Sequence, residues 1–290
     1  MSCFSRFAAI DWSGAKGSRH KGIAIASCEA GDAAPLLVRP GFIWSRGEVL
    51  EWLLEAADEA PTLFGFDLSA GLAFADRGAY FPGWERSPGD ARALWDLVES
   101  LCGEETDLGA SGFADLEEAS RHFRRVGGRC GNLFEAGAGR MRLVERESRR
   151  QGLCNPVSNF NLVGAAQVGK ASLTGMRLLR RLSGKVPLWP FDPLPVSGSL
   201  VVEIYTSIAA AVAGLPRGRT KIRDAATLDR ALEALDSRPH APLAHYDDHA
   251  TDALLATAWL RSAADQPRLW APEAMNENIA RTEGWTFGVP

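Results

Sequence analysis

TLFGFDLSAG, residues 62–71, is the stretch on which the fold turns. Leu63 to Phe66 are apolar or glycine, Asp67 interrupts them, and Leu-Ser-Ala-Gly makes a small-residue turn. A run without alternation predicts a strand buried on both faces, as parallel strands of α/β sheets are. Just upstream, EVLEWLLEAADEA (48–60) sets Val49, Leu50, Leu53, Leu54 and Ala57 at helical spacing, and Pro61 closes it. The chain thus enters this strand from an amphipathic helix.

Working outward, SRFAAIDW (5–12), GIAIAS (22–27) and LLVRPGFIW (36–44) read as three strands, with Pro40-Gly41 marking a bulge or edge position in the third. Downstream, Ser87-Pro88 opens a helix through about Leu101. Residues 103–160, rich in Gly, Arg and Glu, look like an insertion, and 161–183 end in a helix with a basic face. WPFDPLP (189–195) is a Pro-rich connector, and SLVVEIYTS (199–207) a further buried strand. Short helices at about 207–213 and 224–235 precede a strong one in DDHATDALLATAWLRSA (247–263). Residues 264–290 are expected to pack back on the core. Three strands with short links favour an antiparallel meander, and strands reached through helices join in parallel. The expectation is an α/β chain with a mixed five-stranded sheet, three strands antiparallel and two parallel, and helices on both faces.

The 290 residues are 46% apolar and 23% charged, a globular composition. No apolar run approaches the ~18 residues of a membrane span, and the N-terminus lacks a signal-peptide core, so no membrane role is expected. Five scattered cysteines form no C-x-x-C pair. That argues against a disulfide framework or zinc ribbon and fits a cytoplasmic location. The net charge of −4 argues against a general nucleic-acid binder. Yet from Arg121 to Lys185, 14 Lys and Arg stand against three acids. Either one face handles an anion, or these basic helices pair with the acidic remainder.

Four acids sit in apolar surroundings: Asp11, Asp67, Glu203 and Asp252. The first two end strands, the third lies in the last strand, and the fourth falls early in the last strong helix. A buried lone carboxylate is costly unless paired or bound to metal, and ligands collect outside strand ends in open α/β sheets. Converging carboxylates repel and raise each other's pKa. Mg²⁺ or Mn²⁺ would relieve this, and two such ions ~4 Å apart can activate water and stabilise the leaving oxygen of a phosphodiester. Each acid also has a plainer role: Asp11 and Asp67 holding turns, Glu203 pairing with an insertion arginine, Asp248 or Asp252 capping the helix. His249 shares a helix face with Asp252 and is a candidate ligand or general base; Asp248 competes for that role.

Candidate anion contacts are Lys16, Arg19, His20 and Lys21 in the first hairpin, the alternative there being a solvated turn, and the pairs Arg124-Arg125, Arg149-Arg150 and Arg180-Arg181. Gly164, Gly169 and Gly175, with Gln167, Lys170 and Ser172 among them, suggest either an anion-approaching loop or a tight turn, but match no P-loop. Trp52, Trp95 and Trp259 read as core. Trp12, Trp84 and Trp189 read as hydrophobic plugs or as stacking platforms.

This arrangement resembles the RNase H-like fold. DDHATDALLATAWL (247–260) is similar to the last-helix motif of bacterial Holliday-junction resolvases. With AAIDWSG (8–14), FGFDLSAG (64–71), SNFNLVGAAQVGKASLTGMRLLRRL (158–182) and VVEIYTS (201–207), the chain looks closer to a family of predicted RNase H-fold nucleases catalogued as domain of unknown function 429. The resemblance implies a single domain over 1–290, with a core at about 5–103 and 196–263 and a basic helical insertion at about 104–195. It puts the metal-binding acids on Asp11, Asp67, Glu203 and Asp252. The resolvase pattern has Glu on the fourth strand where this chain has Asp67, and Glu203 supplies an acid on the fifth. The implied activity is metal-dependent phosphodiester cleavage. Nucleic acid, DNA or RNA, or a smaller phosphorylated ligand would be held by the basic segment, and a homodimer is expected by analogy with the resolvases. The alternatives are an actin-like ATPase or phosphotransferase and a non-catalytic nucleic-acid-binding module.

Overall fold

A computed structural model describes residues 4–135, 139–164, 168–216 and 221–290. Six strands form one mixed sheet: β1 (Arg6–Asp11), β2 (Ala24–Glu29), β3 (Leu36–Leu37), β4 (Thr62–Asp67), β5 (Leu188–Trp189) and β6 (Leu200–Ile204). Their order is β3-β2-β1-β4-β6-β5. The first three run antiparallel, while β4, β6 and β5 join parallel to β1. The helices are α1 (Arg46–Glu59), α2 (Ala91–Cys102), α3 (Glu117–Ser120), α4 (Leu143–Arg150), α5 (Val168–Leu182), α6 (Thr206–Val212), α7 (Ala225–Glu233), α8 (Asp248–Ala263), α9 (Pro267–Trp270) and α10 (Glu277–Thr282). No helix among the described residues is long and apolar enough to cross a membrane.

The sheet has six strands rather than the expected five. The additional β5 pairs with Val201 and Val202 of β6 inside a Pro-rich stretch, too short to carry a periodic signal. β3 is much shorter than the expected 36–44. The backbone turns at Arg39 (φ 52°) and Gly41 (φ 75°), and Trp44 returns to bridge His20 rather than β2. The helix expected from Ser87 starts at Ala91 instead. Asp90 caps it, accepting from Ala93 N at 2.9 Å, while Ser87 Oγ accepts from Phe81 N.

Alternation along the strands builds two cores. Ala8, Ile10, Phe64, Phe66 and Val201 face α1, α2 and α5. Phe7, Ala9, Leu63, Val202 and Ile204 face α6, α7 and α8. Trp285, Phe287 and Val289 close the second core, so the last segment does pack back. Helix α5, from the stretch read as an insertion, buries Leu173, Met176 and Leu179 in the same core as β4. Helix α8 docks directly on the sheet. The hydroxyl of Thr257 accepts from Ala9 N and donates to Ala26 O, each at 3.1 Å, joining β1, β2 and α8 at one buried point.

Candidate functional site

Strands β1 and β4 are parallel neighbours, and their last residues, Asp11 and Asp67, are in register. Both side chains therefore leave the same face of the sheet, the one covered by α8. Asp247 caps α8, accepting from Ala250 N at 2.9 Å. His249 Nδ1 then lies 2.8 Å from Asp11 Oδ2, and Asp252 lies three residues further along the same helix. Thr206, opening α6, donates its hydroxyl to Asp67 Oδ2 at 3.1 Å.

The electrostatics tie these groups together. Burial, then the charges of Asp11 and Asp252, hold the Asp67 carboxyl well above its ordinary range. Burial also raises Asp11, opposed by its hydrogen bond to His249. Burial and then the Asp11 charge push Asp252 up to about 7. The hydrogen bond to Asp11 raises His249. Like charges are close, poorly solvated and only partly compensated.

A cavity of about 370 Å³ opens beside Asp67 and His249, walled by the Trp12–Ala15 loop, Lys170 and Tyr205. That loop is held rigidly. Arg46 Nε and Nη2 donate to Ser13 O at 3.0 and 2.9 Å, and Nη2 also reaches Ala15 O. Gly14 lies on the backbone of α5: a Cβ there would meet Lys170 C at 2.2 Å and Ala171 N at 2.3 Å. Neither backbone atom can give way cheaply. Gly14→Ala is therefore expected to cost about 3 kcal/mol, the upper end for overpacking, and to weaken whatever binds in the cavity. Urea unfolding with the wild-type midpoint would contradict this.

Glu203 also lines this cavity, with Arg142 and Thr286, but it reaches it from the other side of the sheet and does not meet Asp11 and Asp67. It is in register with Phe66, one residue short of Asp67's partner Ile204, so it leaves the opposite face of the sheet. There Arg142 grips both its oxygens, at 2.9 and 2.5 Å. Ala70 N donates to it at 2.7 Å, and the Thr286 hydroxyl completes the set. Arg142 also binds Glu145 at 2.8 Å. The pairing of Glu203 with an arginine from the basic stretch is thus the arrangement found. Asp248 is likewise engaged elsewhere, in ion pairs with Lys221 and Arg223, and the helix cap is Asp247 instead.

Much of the basic stretch is neutralised in place. Arg125 pairs with Asp115 at 2.8 Å, Arg180 with Asp96, and Arg181 with Glu99 at 2.8 Å. Each of these arginines thus has an acid beside it, although Arg180 and Arg181 remain exposed to solvent. Arg124 and Lys16 are exposed. Gly169 and Gly175 are not a ligand loop: they lie inside α5, where a Cβ would strike Asn159 O at 2.1 Å and the Leu68 side chain at 2.6 Å. Gln167 lies outside the described residues. Trp12 and Trp189 are buried plugs, and half-buried Trp84 packs on Phe81 and Phe113, so none stands as a stacking platform.

Thr206, Arg46 and Arg142 went unnoticed in the sequence. Each acts through partners more than 30 residues away, and no local spacing signals that. Among the described residues, no three His, Cys, Asp or Glu side chains already meet closely enough to hold a metal ion. Comparison with family models, curated proteins and solved structures finds no match to the chain.

Proposed function

We propose that the chain is a divalent-cation-dependent phosphodiesterase with an RNase H-like fold. The observation that carries this is the register of Asp11 and Asp67 at the ends of adjoining parallel strands, with Asp252 coupled to Asp67 by charge. The strand order, three antiparallel followed by parallel additions, suits that fold, as do the stretches that resemble the predicted nuclease family.

The donor set suits an oxygen-seeking cation by its chemistry. Three carboxylates are held away from water with too little positive charge to balance them, and Mg²⁺ or Mn²⁺ favours such ligands. The carboxylates are not drawn into a finished cage, so binding would gather Asp11, Asp67 and Asp252. Bound there, the ion would activate a water and stabilise the leaving oxygen. The chain's own residues prepare the place. Thr206 fixes one Asp67 oxygen, His249 holds Asp11, and the Trp12–Ala15 loop shields the site from one side. Glu203, turned to the other face, stabilises the scaffold.

Calorimetric titration of Mn²⁺ into metal-free protein tests this. Saturable binding is expected in wild type and is expected to disappear, with cleavage, in Asp11→Asn. Equal cleavage by wild type and variant would sink the assignment.

A further inference from the structure

A second cavity, of about 690 Å³, adjoins the first, and the two share Gly14 and Lys170. It is lined by the loop after β1, the segment around Glu105–Asp115, the Arg125–Arg129 loop and the start of α5. Its apolar lining, Ala110, Ala114, Leu162 and Leu173, is buried and forms the floor, while Lys16 and Arg129 are exposed at the rim. Five cations line it against two acids, Glu105 and Asp115. Both acids are already used. Glu105 accepts from Ser111 N and Gly112 N at 3.0 and 2.7 Å. Asp115 accepts from Arg125 and Arg129 at 2.8 and 3.3 Å. Arg46 is spent on backbone carbonyls. The Nε of Arg125 is buried and has no hydrogen-bond partner among the described residues, an expensive state for a donor. Lys16 carries no ion pair among the described residues.

An apolar floor under a cationic rim is the chemistry of a nucleoside phosphate site, with the base or sugar below and the phosphate at the rim. Each cavity is of small-ligand size. A duplex, whose major groove alone is ~12 Å wide, does not enter such spaces. We infer that the second cavity holds the nucleotide next to the one at the carboxylates, so that the substrate is a single-stranded nucleic acid crossing Gly14 and Lys170. This rests on the phosphodiesterase reading and names its substrate class.

The test uses the full chain carrying Asp67→Asn, so that the probe stays intact. The probe is a fluorescein-labelled single strand of about ten nucleotides, as DNA and as RNA, within the ~4–16 span of single-strand sites. Fluorescence anisotropy should show at least tenfold tighter binding of the strand than of a nucleoside monophosphate competitor. Adding Lys16→Glu and Arg129→Glu should weaken strand binding at least tenfold and flatten its salt dependence by about 1.4, or ~0.7 per lost phosphate contact. Arg268→Glu, an exposed arginine outside both cavities, should leave binding unchanged. Strand binding untouched by the double change, or weakened equally by Arg268→Glu, overturns the inference. So does monophosphate binding as tight as the strand's, or no strand binding at all. Lys16→Ala with Arg129→Ala repeats the test without reversed charge. Failure of the phosphodiesterase reading registers separately, as wild-type protein that leaves the same strands uncut in Mn²⁺.

Discussion

Asp67→Asn is expected to cut phosphodiester cleavage roughly 10³-fold, the upper range for loss of one electrostatic group, while raising the melting temperature of the metal-free protein. The two effects share a cause. The Asp67 carboxyl is held beside Asp11 and Asp252, and burial and both charges disfavour its ionised form. An amide removes that conflict and still accepts from Thr206. A gain of about 1 kcal/mol, or roughly 2–4 °C for a chain of this size, follows the usual trade of stability against function. Asp252 adds a pH dependence. Its carboxyl titrates at about 7 in the folded chain against ~3.9 when unfolded. A group raised on folding gives stability that is whole below its unfolded pKa and is lost as pH climbs through the folded one. Metal-free wild type should therefore fall further behind Asp252→Asn as pH rises from about 5 to about 8. Parallel melting profiles would refute that coupling, and undiminished cleavage by Asp67→Asn would remove Asp67 from the site.

Arg142→Met should be the most damaging single change to stability, at about 3–5 kcal/mol, the cost of stranding a buried charge. Arg142 is almost fully buried and binds Glu203, Glu145 and the carbonyl of Glu283, which links β6 to α4 and to the last segment of the chain. Glu203→Gln separates the two roles considered for that acid. As a scaffold residue it lowers the urea midpoint and leaves Mn²⁺ binding intact in the folded protein. Loss of Mn²⁺ binding by folded Glu203→Gln would return Glu203 to the metal set.

The legible parts of the fold were those with long periodic signals. The apolar run ending at Asp67, the amphipathic α1 and the strong α8 all stand within a few residues of where the pattern puts them. The strand that escaped, β5, and the strand read too long, β3, are two residues each, and pairing rather than pattern defines them. The site divides in the same way. Asp11 and Asp67 were visible because each ends an apolar run. Glu203 shares that context, but a one-residue offset in register sends it through the sheet to Arg142, and register is a tertiary property. The charge of the 121–185 stretch was equally plain, while its neutralisation by Asp96, Glu99 and Asp115 depends on helix packing.

The buried junction at Thr257 also bears on how the chain is made. Residues 9 and 26 wait for a hydroxyl more than 230 positions later, and the carboxylates at 11 and 67 wait for the one at 252. During synthesis the first strands emerge long before the helix that covers them. Their apolar α8-facing side stays uncovered until residues 248–263 have emerged, a state open to aggregation or chaperone capture. The same delay keeps Asp11 and Asp67 apart from Asp252 until α8 has left the ribosome, so a product truncated before α8 would carry the strands without the third carboxylate.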